Sequence, residues 1–100
     1  MKLGVHAYAW TSEWDDSQRC SRLGLDLIEI PLMRLDLCNP DAIRRECERL
    51  GLGVCTSTVL NEATDLTADT QAERHAGVEY LKECVKATAR MGGDTFSGVI

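Results

Sequence analysis

The sequence has no surplus of positive charge: 11 Lys and Arg stand against 16 Asp and Glu, a formal net charge of -5. A cationic field for phosphate backbones or anionic lipid is therefore missing, and neither nucleic acid nor a membrane surface is expected as a partner. Long apolar runs are missing too. His6, Ser12, Glu13 and Asp15 interrupt the N-terminal stretch, so neither a signal peptide nor a membrane span is read, and a cytoplasmic address is expected. The five cysteines, Cys20, Cys38, Cys47, Cys55 and Cys84, are scattered and never spaced C-x-x-C. That pattern fits reduced, mostly core thiols better than a disulfide or zinc framework. No G-x-G-x-x-G follows the first apolar run and no Walker sequence occurs, which removes the main support for nucleotide-type Rossmann and P-loop readings.

What is present is 44% apolar residues over 100 positions, enough for one small domain with a modest core. One pattern recurs three times: Arg22-Leu23-Gly24-Leu25-Asp26, Arg49-Leu50-Gly51-Leu52-Gly53 and Arg90-Met91-Gly92-Gly93-Asp94. Each copy follows a mixed polar and apolar run and precedes a short apolar one. An Arg in a last helical turn favours the negative end of the helix dipole, and Gly takes the left-handed position after it without a Cβ clash. The motif predicts a helix ending and a strand beginning.

The first strand is expected over Leu3–Tyr8, a loop with two Trp over Ala9–Trp14, and a short helix over Ser17–Leu23. Leu27–Ile30 is read as the second strand, ended by Pro31. Asn39-Pro40 is a strong helix start, an N-cap followed by Pro at the first helical position. The helix runs to about Leu50 with Ala42, Ile43, Cys47 and Leu50 on one face. The third strand covers Gly53–Thr58, a polar loop spans Asn61–Ala68, and the longest helix starts near Asp69 or Thr70 and stops at Gly92. Its core stripe is expected through Val78, Leu81, Val85 and Ala89, broadened by Tyr80, Cys84 and Met91. Gly77 inside it marks a weak point or a close approach to the sheet. The fourth strand is read over Thr95–Ile100.

The order β-α-β-α-β-α-β, with crossovers too long for hairpins, predicts right-handed βαβ units and a parallel sheet. An open doubly wound sheet and a (β/α)8 barrel both use that order. In a barrel, active groups sit at the C-terminal ends of strands and in the loops after them. His6, Tyr8, Trp10, Trp14, Glu29 and Ser57 cluster in such segments, which favours an α/β fold that is the N-terminal half of a (β/α)8 TIM barrel, residues 1–100 being an incomplete part of a single domain.

The run Gly4-Val5-His6-Ala7-Tyr8-Ala9-Trp10-Thr11-Ser12-Glu13-Trp14, then Gly24-Leu25-Asp26-Leu27-Ile28-Glu29-Ile30, Asp65-Leu66-Thr67, Ala76-Gly77-Val78-Glu79-Tyr80-Leu81-Lys82 and Phe96-Ser97-Gly98-Val99-Ile100 resemble the D-tagatose/D-psicose (allulose) 3-epimerase family of xylose-isomerase-like TIM barrels. The resemblance covers the whole chain. It implies a sugar epimerase or isomerase that removes a proton beside a ketose carbonyl, passes through an enediolate and returns the proton on the other face. It also implies a divalent metal, Mn2+, Mg2+ or Co2+, bound by two Glu, an Asp and a His from later strands, none of them within residues 1–100. Such an ion stabilises charge developing on the adjacent oxygens.

Position by position, the resemblance puts His6 and Trp14 in the wall of the sugar pocket, with Ser57 after the third strand and Val99 on the fourth. His6 stands where relatives carry Phe or Tyr, and the segment between Trp14 and Leu23 is about one helical turn shorter than in typical relatives. Without the resemblance, His6 reads first as a satisfied buried strand histidine and only second as a pocket residue, and Glu29 equally as a carboxylate behind the site or one satisfied by backbone or Arg. His75 reads as a surface residue. A zinc site joining Cys55 and His6 lacks ligand spacing. Activity is expected of a longer chain and not of these residues alone, and a homo-oligomer is expected. Inosose dehydratases and AP endonucleases share the superfamily, the acidic balance disfavouring the DNA enzyme. The alternative is a noncatalytic half-barrel that buries its open sheet edges against itself or a partner chain.

Overall fold

The computed structural model describes residues 1–6 and 20–99, with positions 6 and 99 described as backbone. Four parallel strands, β1 (Gly4–His6), β2 (Leu27–Pro31), β3 (Gly53–Val59) and β4 (Phe96–Val99), form one sheet in the order β1-β2-β3-β4. Sequential order with no reversal is barrel topology; a doubly wound sheet would switch direction at a topological switch point. Right-handed crossovers then place successive helices on the same face.

Among the described residues two α-helices are complete, α1 (Pro40–Leu50) and α2 (Gln71–Arg90), and residues 20–22 form a helical turn before β2. Asn39 caps α1 by accepting from the Ala42 N–H at 3.2 Å, and Pro40 follows as expected. Thr70 caps α2 through the Glu73 N–H at 3.3 Å. The loop read over Asn61–Ala68 is more ordered than its polarity suggested: Asn61 and Thr64 close a reciprocal cap around a 3-10 turn at Glu62–Thr64.

The three recurrent joints share one geometry. Gly24, Gly51 and Gly92 have φ of 72, 71 and 85°. In each, the residue after the glycine donates to the carbonyl five residues back, Leu25 to Cys20, Leu52 to Cys47 and Gly93 to Thr88, at 2.9, 2.9 and 3.0 Å. The glycine itself donates three residues back, to Ser21, Glu48 and Ala89. This is the Schellman pair of bonds, which satisfies the last helical carbonyls and turns the chain into the next strand.

One face of the sheet, Ile28 and Ile30 on β2 with Val54, Thr56 and Thr58 on β3, is buried against the helices. Cys20, Leu32, Ile43, Cys47, Leu52, Cys84, Ala87 and Met91 join that core. The face expected for α1 holds at Ile43 and Cys47, with Ala42 and Leu50 half-buried. That of α2 holds at Cys84 and Met91, with Tyr80 and Leu81 half-buried, and fails elsewhere. Val78 and Val85 are 41% and 53% exposed, and Ala89 is exposed, whereas Gly77, Cys84, Ala87 and Thr88 are buried. Small residues and a hydroxyl turn toward the sheet because the helix sits close to it, and the larger aliphatics lie on its flank beside Leu66. Gly77 is indeed a close approach, but to the loop after β3: a Cβ there would lie 2.5 Å from the Thr64 carbonyl oxygen.

Candidate functional site

The face of the sheet turned away from the helices carries Leu27, Glu29 and Pro31 on β2 and Cys55 and Ser57 on β3, all half-buried. Parallel register aligns them in rows. His6 is in line with Glu29, and Glu29 with Cys55. Pro31, Ser57 and Ser97 share the next row on that face, and Val59 and Val99 the one beyond. Three of the four residues expected at the pocket, His6, Ser57 and Val99, therefore hold register positions of the same parity, toward the C-terminal end of the sheet. The fourth, Trp14, lies outside the described residues, as do Tyr8 and Trp10. Ser97 was not singled out from the sequence; the register with Ser57 follows only once the lengths of the two strands are known.

The electrostatics of this face favour quiet groups. Burial pushes the Cys55 thiol up, with the Glu29 and Asp94 carboxylates adding to the shift. A protonated thiol 3.9 Å from the Ile28 carbonyl oxygen is a weak donor and not a nucleophile. The rim above the strand ends is held by short-range bonds. The Leu32 N–H donates to the Ser57 carbonyl at 2.7 Å, tying the chain after β2 to the end of β3. Asp65 accepts from the Thr67 hydroxyl at 2.7 Å and the Thr67 N–H at 2.8 Å. Those two bonds, the hydroxyl first, hold its carboxyl below the usual carboxylate range. The Asp65-Leu66-Thr67 run is thus a turn-forming element beneath which α2 docks at Gly77.

Among the described residues no group of three or more His, Cys, Asp or Glu is placed to hold a metal ion. His75 is exposed on α2, 3.9 Å from the Glu79 carboxylate one turn on, a surface residue as its neighbours suggested. Also among the described residues, no helix is long and apolar enough to cross a membrane.

Comparison with known proteins gives these positions a context. No protein-family profile matches the chain. A ketose 3-epimerase of Arthrobacter globiformis is 32% identical over 106 aligned residues, covering 100% of this chain and 37% of that protein. An L-ribulose 3-epimerase of Mesorhizobium japonicum is 27% identical, over 99% of this chain and 35% of its own length. The crystal structure of a D-allulose 3-epimerase from a Methylomonas species, in complex with D-allulose, superposes with a TM-score of 0.92 at 26% identity, covering 99% of this chain and 36% of that one. The chain spans a little over a third of the length of the relatives it matches. By sequence and by fold it resembles the ketose 3-epimerases of the D-tagatose/D-psicose kind, as the N-terminal part of their TIM barrel.

Proposed function

We propose that the protein carrying these residues is a metal-dependent ketose 3-epimerase, and that this segment supplies walls of its sugar pocket. The observation that carries the reading is the chain-long likeness to the Arthrobacter globiformis ketose 3-epimerase at 32% identity. The substrate is a small ketose, as the names of the relatives suggest.

His6, Trp14, Ser57 and Val99 are the wall residues on this reading. The Ser57 hydroxyl both donates and accepts, which suits a sugar hydroxyl. An aliphatic group at 99 and the Trp14 ring suit a sugar's C–H side and exclude water from it. The divalent ion, Mn2+, Mg2+ or Co2+, belongs to ligands beyond residue 100; the described residues do not by themselves fit one. Residues 1–100 form part of a single barrel domain, the protein works in carbohydrate metabolism in the cytoplasm, and it assembles as a homo-oligomer.

The experiment is turnover by the natural gene product on fructose, psicose, tagatose and sorbose with each divalent ion in turn. Interconversion of one of them with its C3 epimer supports the reading. Absence of turnover on all four with every ion counts against it.

A further inference from the structure

The chain leaves β2 through Leu32, which is 1% exposed and whose backbone N–H and carbonyl are both bonded. Its N–H donates to the Ser57 carbonyl at 2.7 Å. Its carbonyl accepts twice: from Thr58 Oγ1 on β3 at 2.9 Å and from the Tyr80 hydroxyl on α2. The two hydroxyls are themselves 3.1 Å apart. Thr58 is buried and Tyr80 half-buried, with its ring packed against the core. A single residue thus joins two strands and a helix that are distant in sequence, Leu32 to Tyr80 spanning 48 positions.

We propose that Tyr80 and Thr58 are positioning residues for the sugar pocket: by clamping the Leu32 carbonyl they fix the Leu32 N–H that holds the Ser57 backbone, and so set where the Ser57 hydroxyl meets substrate. The proposal rests on the ketose 3-epimerase reading given above. Neither hydroxyl touches substrate. Their effect passes through the Leu32 backbone, and a wall displaced by a fraction of an ångström loosens binding of the sugar in its ground and transition states alike. The signature is a raised KM with kcat little changed.

The test uses Tyr80→Phe, Thr58→Val and Thr58→Ser in the natural gene product, read by steady-state kinetics and by amide hydrogen exchange at Leu32. Tyr80→Phe and Thr58→Val each raise KM about threefold to tenfold, the worth of one hydrogen bond, with kcat within about twofold. Exchange at Leu32 speeds up while the amides of β3 hold. Thr58→Ser keeps the hydroxyl and restores both readouts. A lowered Tm with KM and Leu32 exchange unchanged overturns the proposal and makes the hydroxyls purely structural. Lack of turnover in the unaltered protein overturns the functional reading and the pocket role with it, whereas unaltered Leu32 exchange in an active enzyme overturns the clamp alone.

Discussion

Thr56 on β3 and Thr88 on α2 place their hydroxyl oxygens 2.6 Å apart in a fully buried contact between sheet and helix. Thr88 donates to the Cys84 carbonyl at 2.8 Å, so the proton between the two threonines comes from Thr56. The pair is asymmetric. Thr88→Val strands the buried Thr56 donor and costs about 1–3 kcal/mol, whereas Thr56→Val leaves Thr88 bonded to Cys84 and costs about 1 kcal/mol. Urea unfolding of both variants and of the double variant checks this. The double variant should cost less than the two single costs together, and a greater cost for Thr56→Val would contradict the donor assignment.

Two glycines respond oppositely to the usual rule for alanine. In a helix interior Gly→Ala ordinarily stabilises by about 1 kcal/mol. At Gly77 the new Cβ would meet the Thr64 carbonyl oxygen at 2.5 Å and Leu66 Cδ2 at 2.9 Å, so Gly77→Ala destabilises by about 1–3 kcal/mol through overpacking. Gly51 has open space around its Cβ position but a φ of 71°. Gly51→Ala therefore costs about 1–2 kcal/mol through backbone conformation alone, and Gly51→Asn costs less, since Asn tolerates the left-handed region. Thermal unfolding separates the cases; a stabilised Gly77→Ala would show that helix and loop do not pack as described.

Burial pushes the Cys47 thiol up from 9.0 to about 11, with the nearby Glu46 and Cys20 adding to it. The folded state thus holds a proton that the unfolded chain releases sooner. Below about pH 9 both states are protonated and stability is unaffected; between about pH 9 and 11 the unfolded state binds fewer protons, so stability falls as pH rises. Unfolding measured from pH 7 to 11 should show this alkaline decline, shallower in Cys47→Ala. An equal slope in the two proteins would assign the decline to other groups.

The sequence made the joints legible because they depend on local chemistry. Arg-x-Gly marks each helix end, and Asn39-Pro40 marks the start of α1; both act within one turn of chain. The sequential strand order followed from the barrel reading, whereas His6, Ser57 and Val99 were singled out through the family resemblance. The buried face of α2 was legible only in part, for a physical reason. Apolar periodicity points to Val78 and Val85 as well as to Cys84, but the buried positions toward the sheet are Cys84, Ala87 and Thr88, with Gly77 against the loop after β3. Its polar member is satisfied by a hydroxyl from another strand, and a hydropathy pattern cannot register a partner 32 positions away. Tyr80 was legible as core-facing, while its bond to the Leu32 carbonyl, across 48 positions, was not.

The central claim is that the protein epimerises a ketose at C3, and solvent exchange tests it most directly. The natural gene product is incubated with a ketohexose and a divalent metal ion in deuterated water, and the sugars are read by NMR. Proton removal and return at one carbon predicts deuterium at C3 of both the substrate and its epimer, with the other carbons unlabelled. Recovery of every ketose with no deuterium at C3, whichever ion is supplied, would contradict the account.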